Sequence, residues 1–169
     1  CHGGFIEAEC TVGRGSRFLV YLPVTSQLPA AAAQEESGGG RMGMGSVLLV
    51  DDEVRVVRYF KRRLVHQGYQ VDAFTDPEEA LNAFRLNPGQ WDLLIVDEAM
   101  PKLRGTVLLQ HMKQQNHSLR VILVTGLVGD SAIRLHAERQ IDEILTKPVE
   151  FEALAEAVAR LLSAEAPGR

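Results

Sequence analysis

Positive charge is in short supply in this chain: 18 lysines and arginines face 22 acids, for a formal net charge of −4. Proteins that bind a nucleic-acid phosphate backbone usually show a basic stripe, and none is found here, so nucleic acid is not the expected partner. The one dense basic cluster, Lys61-Arg62-Arg63, reads as the solvated face of a helix. Aromatic residues make up 6% against 46% hydrophobic overall, so the core must be mostly aliphatic. Cysteine is limited to Cys1 and Cys10, too sparse for a disulfide framework, which fits a reducing, cytoplasmic setting. Adding His2 still leaves a structural zinc site one ligand short. Long apolar runs are missing too. Val121 to Val128 is broken by Thr125 and Gly126, well short of the roughly 18 to 20 residues of a membrane span. The start lacks the basic and apolar stretches of a signal peptide, so this segment is expected to be soluble, whether or not a longer parent is membrane-anchored.

What is present begins with two short strands around a glycine turn. Gly4 to Cys10 is followed by Gly13-Arg14-Gly15 and then by Arg17 to Pro23, whose alternation predicts a half-buried strand. A lone hairpin is at best marginally stable in water, so it needs a partner surface. From Val24 to Ser46 the composition shifts to Pro, Ala, Gln, Ser and Gly, including Gly38-Gly39-Gly40. Such a stretch buries too little apolar surface to offset its ordering entropy and reads as a flexible linker over 24–45, spanning roughly 25 to 30 Å as a coil. A short helix through Ala30 to Ala33 is compatible with it.

From Val47 onward, strand and helix patterns alternate five times. Val47 to Val50 is a short apolar strand ending at Asp51-Asp52-Glu53. Val57, Phe60 and Leu64 then fall at helical spacing over 54–67, stopped by Gly68. Tyr69 to Phe74 is a second strand. Asp76-Pro77-Glu78-Glu79 supplies an N-cap, a proline at the first helical position and acids for the first turn of a helix ending near Leu86. Trp91-Asp92-Leu93-Leu94-Ile95-Val96-Asp97 is a strand apolar on both faces, ending in an acid. A helix over 106–115, a strand over 120–125, a helix near 131–139 and a strand over 141–145 follow. The last helix carries an apolar stripe through Phe151, Leu154, Ala155, Val158, Leu161 and Leu162. Repeated units of this length imply parallel pairing with right-handed crossovers, hence an α/β doubly wound five-stranded sheet with helices on both faces.

In a parallel sheet all the strand C-terminal ends lie on one edge, where open α/β sheets keep their sites. Asp51, Asp52, Asp97, Thr125 and Lys147 are therefore expected in one crevice. Clustered carboxylates repel unless a cation is present, and a small hard divalent ion such as Mg²⁺ suits oxygen ligands. Lys147 supplies a counter-charge, and Thr125 can donate a hydrogen bond to an anion. Together this is equipment for phosphoryl transfer. Any one of these residues alone reads more simply as a helix cap or a solvated side chain. Their joint placement at successive strand ends does not.

Residues 46–163 resemble a response-regulator receiver domain, a flavodoxin-like (βα)5 fold with strand order 2-1-3-4-5. The resemblance rests on Val47 to Glu53, Asp97 with Met100-Pro101 and Gly105, Thr125-Gly126, and Lys147-Pro148. It implies that Asp97 is the phospho-acceptor, attacking a phosphohistidine phosphorus in line. It further implies Mg²⁺ held by Asp52, Asp97 and the Ala99 backbone carbonyl, with Asp51 acting through a bound water. Lys147 would bridge to the phosphoryl oxygens, and Thr125 would close on them as a switch. Four positions depart from the family pattern: Ile144 replaces the frequent aromatic switch residue, Arg104 stands where aspartate is frequent, and Ala99 and Leu127 beside the phosphoryl position are apolar.

Residues 1–23 resemble the closing strands of a histidine-kinase ATP-binding domain, through Gly3-Gly4-Phe5-Ile6, Gly13 to Phe18 and Tyr21-Leu22-Pro23. Lacking that family's asparagine-bearing helix and earlier glycine boxes, this segment alone should not bind ATP productively. The expected order is kinase end (1–23), linker (24–45), receiver (46–163) and tail (164–169), as in a hybrid histidine kinase. Its expected partners are a histidine kinase domain, in cis or in trans, and a histidine phosphotransfer protein, since no DNA-binding module follows Arg169. Homodimerisation is left open. The competing readings are a receiver-fold module that regulates by docking without turnover, and an aspartyl-phosphate hydrolase. The latter would want its acids as Asp-x-Asp after the first strand.

Overall fold

The computed structural model describes residues 5–11, 15–21 and 44–163, and the chain divides into two compact units, residues 1–39 and 40–169. In the first unit, β1 (Phe5–Thr11) pairs antiparallel with β2 (Gly15–Tyr21), with Phe5 opposite Tyr21 and their rings stacked at 4.5 Å. Gly15 opens β2 at φ +93°, a conformation that favours glycine. The half-burial expected of the second strand is not found. Every β2 residue but Leu19 is exposed, because among the described residues of this unit nothing covers either face of the ribbon. Nearly all of the expected linker and the whole of the tail lie outside the described residues.

The second unit is the five-stranded parallel sheet that the alternation predicts. Its strands are β3 (Ser46–Val50), β4 (Gln70–Phe74), β5 (Leu93–Asp97), β6 (Arg120–Thr125) and β7 (Glu143–Thr146), in the order β4-β3-β5-β6-β7. Five helices alternate with them: α1 (Val54–His66), α2 (Pro77–Leu86), α3 (Gly105–Gln115), α4 (Asp130–Ala137) and α5 (Phe151–Ser163). Strand alternation sorts the side chains into two cores. Val47, Leu49, Leu93, Ile95, Ile122 and Val124 pack with α1 and α5, while Leu48, Val50, Leu94, Val96, Val121 and Leu123 pack with α2, α3 and α4. All five residues of central β5 are buried, the signature of a strand covered on both faces.

Local chemistry sets most element ends. Asp76 caps α2 by accepting from the Glu78 N–H at 2.8 Å, with Pro77 at the first position. Gly68, at φ +99°, closes α1. The fifth strand of the repeat starts two residues later than the apolar run suggests. The Asp142 carboxylate turns aside to accept the Val121 N–H at 2.7 Å, and pairing with β6 begins at Glu143. The fourth helix ends at Ala137 rather than Arg139, whose φ of +57° takes it out of helical geometry.

Candidate functional site

The strand-end rule places the site. Val50 is the last residue of β3, and the backbone N–H of Asp51 still pairs with the Phe74 carbonyl at 3.2 Å, which fixes Asp51 at the sheet edge. Asp97 and Thr125 are the last residues of β5 and β6, and Lys147 directly follows β7 and precedes Pro148 through a cis peptide. Asp51, Asp97 and Thr125 are 4%, 2% and 3% exposed, while Asp52 is half-buried. Ligand oxygens of Asp51, Asp52 and Asp97 all lie within 4.8 Å of one another.

Lys147 is the counter-charge. Its Nζ stands 3.0 Å from Asp97 Oδ1 and 3.7 Å from both Asp51 Oδ2 and Glu53 Oε1. The approach to Asp97 falls outside hydrogen-bonding geometry, so Oδ1 is buried with no hydrogen-bond partner. Burial pushes the Lys147 ammonium down, but Asp97, Asp51 and Glu53 together outweigh burial and hold it above the ordinary lysine value. Burial pushes the Asp51 carboxyl up; the Glu53 N–H it accepts at 2.8 Å and the Lys147 charge only partly offset this. Asp97, Asp51 and Glu53 thus share one ammonium with Asp52 close by, and a buried Asp97 oxygen without a hydrogen bond sits among them. That donor set fits a hard cation with oxygen ligands. The crevice holds about 460 Å³, and its lining combines Asp51, Glu53, Asp97 and Lys147 with apolar Val56, Phe60 and Val149.

Two expected residues sit differently from the rest. The Thr125 hydroxyl donates to the Leu127 carbonyl at 2.7 Å and accepts the Leu127 N–H at 3.2 Å, so in this state it closes its own turn rather than meeting Asp97. Ile144 is half-buried and packs against the core beneath α2, α3 and α4, not into the acid crevice. Ala99 lies two residues past Asp97, exposed in the loop leading to α3.

The loop itself shows contacts that spacing does not reveal. A Cβ on Gly105 would lie 2.3 Å from the Asp97 carbonyl oxygen, so only glycine lets the start of α3 approach the end of β5 this closely. Arg104 occupies the N-cap without a side-chain cap bond. The Glu98 carboxylate supplies the cap instead, accepting from the Thr106 N–H at 2.8 Å and the Thr106 hydroxyl at 3.2 Å. Glu98 beside Asp97 was the available signal in the sequence, but its partner eight residues on becomes evident only when α3 folds back. Glu53, the third anion on Lys147, follows the acid pair directly and was likewise legible only as a neighbour.

Residues 47–159 match the family model described as the response regulator receiver domain. Sensor kinase CckA of Brucella abortus (strain 2308) is 31% identical over 169 residues, covering 95% of this chain and 18% of CckA. Sensor protein EvgS of Escherichia coli O157:H7 is 32% identical over 120 residues, 70% of this chain and 10% of EvgS. Among solved structures, the receiver domain of hybrid histidine kinase CckA superposes at a TM-score of 0.61 with 33% identity, covering 70% of this chain and all of that one. The chain therefore spans less than a fifth of the length of either sensor protein. No helix among the described residues is long and apolar enough to cross a membrane.

Proposed function

Because the chain belongs to the response regulator receiver domain family through residues 47–159, we propose that Asp97 accepts a phosphoryl group from a phosphohistidine within a two-component phosphorelay. The observation that carries this reading is Asp97 itself: a buried carboxylate at a strand end, with one oxygen lacking a hydrogen bond, beside Asp51, Asp52 and Lys147. In the step, an Asp97 oxygen attacks phosphorus, the N–P bond of the phosphohistidine breaks, and the departing imidazole keeps the electron pair and takes up a proton. Asp52, Asp97 and the Ala99 carbonyl would hold Mg²⁺, with Asp51 acting through a water. When bound, Mg²⁺ neutralises charge on the transferring oxygens. Lys147 exchanges part of its contact with Asp97 for a phosphoryl oxygen. Thr125 leaves the Leu127 carbonyl to donate to another, and that rotation biases the neighbouring surface that partners read.

The donor is a histidine kinase domain, and the next acceptor a histidine phosphotransfer protein. Residues 1–23 are the closing strands of a kinase ATP-binding domain and 24–45 a linker, which makes the parent a hybrid histidine kinase of the cytoplasm or its membrane face. The alignment with CckA over 95% of this chain, beyond the receiver match, supports that order.

The test is incubation with a small phosphodonor and Mg²⁺. The wild type should gain one phosphoryl group by mass, and Asp97→Asn should gain none. Labelling that persists in Asp97→Asn would refute the assignment, and no labelling of either protein would favour a docking module without turnover.

A further inference from the structure

Glu98 is held through both of its backbone groups and through its side chain. Its N–H donates to the Val124 carbonyl at 2.8 Å, and its own carbonyl accepts the Gly105 N–H at 3.2 Å. Its carboxylate accepts both donors of Thr106, and Arg104 Nη1 approaches it at 3.8 Å. One residue thus joins β5, β6 and the first turn of α3, with a side chain only 17% exposed. It stands directly between Asp97 and Ala99.

The segment from Ala99 to Arg104 is a loop whose two ends Glu98 holds together. Its middle is tethered separately, by Lys102 at φ +67° with Nζ 2.5 Å from Asp76 and 3.8 Å from Glu78. A backbone carbonyl can ligate a hard cation only if its peptide plane is held in place, and that plane turns with the dihedrals on either side of it. Fixing the residue before Ala99 and the helix after the loop removes most of that freedom.

We infer that Glu98 is a positioning residue that preforms the Ala99 carbonyl for the cation by clamping the start of α3. The inference rests on the proposed ligand set of Asp52, Asp97 and the Ala99 carbonyl. Partners that orient metal ligands are commonly worth about 10- to 100-fold in metal affinity. A clamp works through reach, whereas a merely electrostatic role would work through charge. The two are separable at this position. Glu98→Asp keeps the charge but is too short to reach Thr106; Glu98→Gln loses the charge but keeps an oxygen that accepts the Thr106 N–H.

The experiment is a Mg²⁺ titration of the full chain followed by the amide signals of Ala99 and Thr106, with hydrogen exchange at Thr106 measured without metal. Glu98→Asp should weaken Mg²⁺ binding about tenfold and lose Thr106 protection, while Glu98→Gln stays within about threefold of wild type and keeps it. The opposite order, with Glu98→Gln the weaker binder, would assign the effect to charge and overturn the inference. Equal affinity in all three proteins, whatever their melting temperatures, would make Glu98 a helix cap only. A wild type that does not bind Mg²⁺ would instead overturn the proposed ligand set, taking this inference with it.

Discussion

Replacing Gly105 with alanine sets two effects against each other. Gly105 is the first residue of α3, and alanine is favoured over glycine by up to about 1 kcal/mol within a helix, less at an end. Against this, the new Cβ would lie 2.3 Å from the Asp97 carbonyl oxygen, 2.9 Å from its carbon and 3.1 Å from Glu98 Cα. Carbon–oxygen contacts close at about 3.3 Å, so relief requires a shift of about 1 Å. All three opposing atoms are backbone, so no side-chain rotation provides it. Overpacking of this kind costs about 1 to 3 kcal/mol, and the rigid neighbour argues for the upper part of that range. The net expectation for Gly105→Ala is a loss of about 2 kcal/mol, or a fall of roughly 5 to 10 °C in Tm, with the m-value for urea unchanged. Mg²⁺ binding should weaken as well, because the displaced atoms belong to Asp97 and Glu98. Equilibrium urea unfolding checks the first part. A variant as stable as wild type would show that α3 is free to move away from β5, and that the close approach does not hold the site.

Two further outcomes follow from the crevice. Burial raises the Asp51 pKa, so the folded state holds its proton more tightly than the unfolded chain. The associated stability is complete below the unfolded value, falls as pH rises through the folded value, and stays lost at neutral pH. In metal-free buffer Asp51→Asn should therefore be more stable than wild type at pH 7, with the difference shrinking as pH falls through the folded value toward the unfolded one. Urea midpoints across that range read this directly, and a gain that grows on acidification would contradict it. Ala99 and Leu127 offer no polar side chain to orient an attacking water, so the Asp97 acyl phosphate should hydrolyse slowly. Ala99→Asn should shorten its lifetime roughly tenfold, a modest share of what positioned polar groups contribute to such steps. An unchanged decay rate would sink that account.

Much of the site was legible before any coordinates. The run from Leu93 to Val96 has no alternation, which marks a strand covered on both faces, and Asp97 ends it. Parallel pairing then sends every strand end to one edge, so Asp51, Asp52, Thr125 and Lys147 arrive beside it without further information. The hairpin shows the limit of the same reasoning. Alternation in β2 marks two different faces, but whether either is buried depends on what lies against it, and among the described residues of its unit nothing does.

The sequence by itself determined the order of elements, the two-sided core and the identity of the charged groups in the crevice, because these depend on periodicity and on the direction of parallel strands. Only the tertiary structure decided what those groups touch. Lys147 divides its charge among Asp97, Asp51 and Glu53, and Thr125 spends its hydroxyl on Leu127. Glu98 reaches past six loop residues to cap α3, and Gly105 is required by a carbonyl eight positions earlier. Apart from the Thr125 turn, which spans only two residues, each of these is a contact of a few ångströms between segments separated by a loop or by whole elements. Its formation is set by how rigid elements pack, which no local pattern along the chain encodes.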